Sequence, residues 1–138
     1  MIALLALASA QLAFAAPSGP PTQAAPPANP PHDWTQLPAV TLPPATPEMI
    51  RFVRDEVEAG RCSHPHPADG QVSLVVPLAL HFSRDGGASG VVPLAIGCPT
   101  IEQFSAGAAL RMMRQKPFRA MPAEDHWYRS AITYTWSG

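Results

Sequence analysis

Between residues 72 and 83 the even positions Val72, Leu74, Val76, Leu78, Leu80 and Phe82 are all apolar, while Ser73, Pro77, Ala79, His81 and Ser83 on the odd side are small or polar. A period of two over this length predicts a β-strand with one buried face and one wetter face. Asp85-Gly86-Gly87 then supplies the positive φ values a hairpin needs, and Val92, Leu94, Ile96 and Cys98 continue the alternation as the inward side of a second strand. Pro77 and Pro93 have no N–H to give to a ladder. Each therefore belongs at an edge, at a bulge, or with that position turned away from a neighbour. A third strand is predicted over 127–136, with Tyr128, Ile132, Tyr134 and Trp136 on one face and Trp127, Arg129, Thr133 and Thr135 on the other.

Two helices complete the pattern. Thr46-Pro47-Glu48 reads as an N-cap, a first-turn proline and an acidic residue at the positive end of the dipole, and Gly60 is a stop. Between them Met49, Ile50, Phe52, Val53 and Val57 form one side, opposite Arg51, Arg54, Asp55, Glu56 and Glu58. The second helix is expected to open on a Thr100 to Gln103 capping box and to pack through Ile101, Phe104, Ala108 and Met112, joined by Ala109 and Met113. Arg111, Arg114 and Lys116 suit its C-terminal end, and Pro117 ends it.

Composition divides the chain. Eleven of the 18 prolines lie in the first 47 residues, where Asp33 is the one charged side chain, whereas all nine Lys and Arg follow residue 50. Residues 1–15 are apolar and end in an Ala-x-Ala site, as in a secretory signal peptide; the rival is a short retained anchor in the inner membrane. Residues 16–46 are a Pro/Ala-rich tether with little to bury, from which Trp34 and Leu37 could fold back. Residues 47–138 are then the folded domain. A formal charge of −1 and a pI near 6.5 give no basic surface for nucleic acid.

The order of strand, Asp-Gly turn, strand, capped helix, corner and aromatic strand resembles the C-terminal domain of TonB, the periplasmic end of an energy transducer that drives outer-membrane transporters. Three stretches carry it: the F-x-x-D-G turn at 82–86, the I-E-Q-x-x-x-x-A-A-L opening at 101–110, and K-P-F-R-A at 116–120. The resemblance implies an α+β fold, a β-β-α-β unit with a preceding helix and a three-stranded antiparallel sheet. It also implies protein recognition by strand addition, possible where an edge presents free N–H and C=O groups. The implied binding edge is Tyr128, Arg129, Ser130, Ala131, Ile132, Thr133, Tyr134, Thr135 and Trp136, and the implied partner is the periplasmic segment of an outer-membrane transporter. The N-terminal stretch is short for a spanning helix, so the expectation is an exported periplasmic module rather than a complete transducer.

Cys62 and Cys98, an even pair in an exported chain, are expected to form one disulfide. A periplasmic metal site on Cys62, His64 and His66, with Cys98, His81 or His126 completing the set, is the rival, although its spacing is unlike a zinc finger. A second rival is an envelope module that pairs the same edge with another copy, as a homodimer. No nucleophile and base, phosphate loop or metalloprotease helix is recognisable. The expected protein is therefore neither an enzyme nor a binder of cofactors or small-molecule substrates.

Overall fold

The computed structural model describes residues 29–62, 70–83, 87–115 and 127–138. It is an α+β fold of two helices and one antiparallel sheet, in the order α1 (Pro47–Glu58), β1 (Gln71–Phe82), β2 (Ala88–Pro93), α2 (Pro99–Gln115) and β3 (Trp127–Ser137). The sheet order is β2-β1-β3, so the longest strand is central and β3 forms an edge. The Asp85-Gly86 turn, the corner at 116–120 and the signal-peptide stretch lie outside the described residues.

Local chemistry explains how α1 begins and ends. The Thr46 side chain accepts from the Met49 N–H at 3.3 Å, and Pro47 occupies the first turn, where no N–H is needed. At the other end Gly60 takes φ 73°, which brings its N–H to the Val57 carbonyl and the Arg61 N–H to that of Glu56. This paired closure requires a left-handed residue, and glycine adopts that conformation without a Cβ clash.

Both helices cover the same face of the sheet. That face carries Val72, Leu74, Val76, Leu78, Leu80 and Phe82 of β1, all buried as the alternation predicts. α1 lies against β3 through Met49, Val53 and Val57, while α2 covers β2 and β1 with Ile101, Ala108, Ala109 and Met113. Phe52 and Phe104 stack between the helices, centroids 4.2 Å apart. Each fully buried Leu, Ile or Val here contributes about 1.5–3 kcal/mol through removal from water.

The second strand departs from its expected register. Between His81 and Phe82 the pairing with β2 shifts, so that Phe82 faces Ala88 but His81 faces Gly90 and Leu80 faces Val91. Ser89 is the extra residue of this bulge, and its hydroxyl donates to the His81 carbonyl. One inserted residue turns the rest of a strand over. Val91 consequently packs towards the core, while Val92 and Leu94, expected inside, are exposed on the opposite face. The strand also ends at Pro93, before Ile96 and Cys98.

The central strand tolerates Pro77 for a related reason. Its carbonyl accepts from Leu94 N–H just past the end of β2, so the missing donor points to a side where pairing has stopped. The ladder to β3, running from Gln71–Ser137 to His81–Trp127, is uninterrupted.

Three further expectations are corrected. α2 starts at Pro99 rather than Thr100, and Glu102 rather than Gln103 closes its N-terminus: one carboxylate oxygen accepts from Ile96 N–H at 2.8 Å and from Cys98 N–H at 3.0 Å. Glu56, assigned to the polar side of α1, is buried against the domain, where its carboxylate receives two bonds from Arg61 at 2.9 and 2.8 Å. Trp127, assigned to the wetter face, is buried with its ring tilted against His81 at 4.6 Å.

Candidate functional site: the outer edge of β3

Antiparallel pairing makes successive residues of a strand point their backbone groups to alternate sides. In β3 the phase is set by Arg129, whose N–H donates to Pro38 C=O at 2.9 Å and whose C=O accepts from Val40 N–H at 2.9 Å. Both bonds lie on the side away from β1. By the same alternation Ala131, Thr133 and Thr135 also direct N–H and C=O outward, whereas Tyr128, Ser130, Ile132, Tyr134 and Trp136 bond to β1. Among the described residues no backbone group meets those of Ala131, Thr133 and Thr135.

The side chains follow a matching division. Tyr128, Ile132, Tyr134 and Trp136 are buried beneath the helices, and Ala131, Thr133 and Thr135 are exposed on the far face. The nine residues expected to form the binding edge therefore have two jobs. The buried set anchors the strand, and three of the exposed set present the open backbone. No charged side chain follows Arg129 in the strand. This stretch thus has none of the lysine, proline or inward-charge devices that usually blunt an edge.

The occupied end of the edge was not legible as such in the sequence. Residues 34–40, read as part of the tether at 16–46, lie against the sheet. Asp33 opens a turn by accepting from the Thr35 N–H at 2.9 Å and its hydroxyl at 2.6 Å, which holds the Asp33 carboxyl below its usual pKa. Leu37 N–H then closes back on Trp34 C=O, Ala39 bridges Arg129 in parallel, and Arg129 Nε donates to Leu37 C=O at 2.9 Å. Leu42 is buried in the core. Beside this strap a groove of about 430 Å³ is lined by Trp34, Val40, Pro77, Leu94, Arg129 and Ala131, among others.

No protein-family model, curated protein or solved structure matches the chain. The site therefore rests on its own geometry.

Cys62 and Cys98 are joined in a disulfide with their Cα atoms 5.0 Å apart. The bond ties the loop after α1 to the residue before α2, rather than to the end of β2. It uses both thiols that the rival metal site would need. His64, His66 and His126 lie outside the described residues, and among the described residues no three His, Cys, Asp or Glu side chains are placed to hold a metal ion. Likewise no described helix is long and apolar enough to cross a membrane.

Proposed function

We propose that the protein is an exported periplasmic recognition module of the TonB C-terminal type, which accepts an extended segment of a partner protein as an added strand on the outer edge of β3. The observation that carries this reading is the row of outward backbone groups at Ala131, Thr133 and Thr135, uncharged and without a partner among the described residues. A guest strand meeting them would form regular main-chain hydrogen bonds, each contributing about 0.5–1.5 kcal/mol net. The buried Ile132, Tyr134 and Trp136 hold the acceptor rigid, so little ordering cost falls on the protein side. The resemblance in element order makes the periplasmic segment of an outer-membrane transporter the favoured partner, with the β-β-α-β unit as the shared arrangement.

Photo-crosslinking in a Gram-negative host tests this. A photoreactive residue at Thr133 or Thr135 should yield adducts that mass spectrometry maps to an extended segment of an outer-membrane transporter. The same residue at Gln103, on the exposed side of α2, should not. Adducts only to a second copy of the chain would favour the homodimeric rival, and no adduct at any edge position would refute strand addition.

A further inference from the structure

The edge proposed to receive a partner is already occupied at one end by the chain itself. Arg129 is held three times by the strap, through its N–H, its C=O and its guanidinium Nε. The strap pairs in parallel with β3 at Ala39 and, past the turn that Leu37 closes, carries an uncharged Pro-Ala-Val sequence at 38–40. It has the properties of a guest strand.

Its extent is limited by composition. Continuing the parallel ladder past Val40 would use Thr41, Leu42, Pro43 and Pro44. Leu42 is instead drawn into the core, and two consecutive prolines offer no N–H. The strap therefore satisfies one edge residue and releases the strand where Ala131, Thr133 and Thr135 begin. Its polar grip is light, since two main-chain bonds and one exposed guanidinium bond hold it, with Val40 packed against the core beside them.

We propose that residues 34–40 are an intramolecular occupant of the strand-accepting edge, so that a guest strand reaching Arg129 must displace them. This deepens the reading of the β3 edge and rests on it. In the resting state the acceptor is confined to residues 131–137. When the strap peels away, the ladder lengthens by one bonded residue, and the groove loses the wall formed by Trp34 and Val40, which uncovers Pro77, Leu94 and Ala131 to the guest. The strap also states what the edge accepts at Arg129: an extended, uncharged segment running parallel to β3.

The test uses the full chain and, as probe, a synthetic peptide of residues 33–42 (Asp-Trp-Thr-Gln-Leu-Pro-Ala-Val-Thr-Leu). In the unaltered protein the Arg129 amide should exchange with solvent roughly tenfold more slowly than those of Ala131, Thr133 and Thr135, yet faster than those of Tyr128 and Ser130. Val40→Pro removes the donor to Arg129 C=O. It should erase most of that protection and allow the peptide to shift the Arg129 amide resonance, which it does not do in the unaltered protein. Exchange at Arg129 as fast as at Thr133 in the unaltered chain overturns the proposal without recourse to the variant. Peptide shifts confined to Ala131, Thr133 and Thr135, equal in both chains, would overturn the strap as a competitor while leaving the strand-accepting edge intact. Absence of peptide shifts along β3 in both chains would count against the edge itself.

Discussion

The hydroxyls of Ser105 and Tyr134, 29 residues apart, share a 2.8 Å hydrogen bond inside the core. Ser105 lies on α2 and Tyr134 on β3, and neither is accessible to solvent. The bond thus joins the helix layer to the strand that carries the candidate edge, and it satisfies two groups that would otherwise be buried without partners.

Breaking this bond from one side should cost more than removing it from both. Ser105→Ala leaves the Tyr134 hydroxyl buried and unpaired, a penalty of about 1–3 kcal/mol. Ser105→Ala combined with Tyr134→Phe should recover much of that loss. Urea unfolding of the two single variants and the double variant measures the coupling directly.

The same tyrosine sets an alkaline limit. Burial pushes the Tyr134 phenol above its ordinary value of 10.0, with the Ser105 bond acting in the opposite sense. The folded state therefore holds this proton more tightly than the unfolded state does. Its contribution to stability is complete below pH 10 and is lost as pH rises through the raised folded value. Tyr134→Phe should flatten that part of the stability profile, measured by denaturant midpoints between pH 8 and 11.

At the acidic end the responsible pair is Glu56 and Arg61. The guanidinium bonds hold the Glu56 carboxyl below its usual 4.5. Its contribution is present above that value and fades as pH falls through the lowered one. The effect should be modest, because the Arg61 side chain is 59% exposed and water screens the pair. Glu56→Gln should shift the acid-unfolding midpoint upward only slightly and reduce the dependence of that midpoint on salt.

Reduction of the Cys62–Cys98 bond should be far more damaging. It closes a loop of 36 residues, for which loop-closure entropy gives about 4 kcal/mol. In a domain of this size that corresponds to a fall in melting temperature of roughly 15 °C or more. Thermal unfolding with and without dithiothreitol measures it.

Proline substitutions along β3 should reveal which side of the strand is open. Thr133→Pro removes an outward N–H, and the ladder to β1 should survive with a loss of about 1 kcal/mol. Ile132→Pro removes a donor to the central strand opposite Val76 and should cost about 3 kcal/mol or more. Circular dichroism with urea unfolding distinguishes the two.

How much of this was written in local sequence depends on the range of the interactions concerned. Thr46, Pro47 and Gly60 delimit α1 through bonds within a few residues, and the alternation from Val72 to Phe82 marks a strand with one buried face whatever its neighbours are. The cysteine pairing was legible from number and context alone. The face of β2 was not, because one bulged residue, Ser89, reverses the burial of Val91 and Val92, and no composition signal marks a bulge. Nor was the start of α2, where Glu102 outcompetes Gln103 by reaching the N–H groups of Ile96 and Cys98. Nothing in the residues around Ser105 marks its role, which depends on β3 bringing Tyr134 to it. The candidate edge shows the same division. The aromatic and β-branched run announced a proline-free strand, but only the sheet order placed it at an edge, and only the strap at Pro38 and Val40 showed which backbone groups face outward and which are already taken. Secondary structure here follows from contacts a few residues apart, while register, edge position and occupancy depend on pairings between segments up to 92 residues distant, which local sequence does not encode.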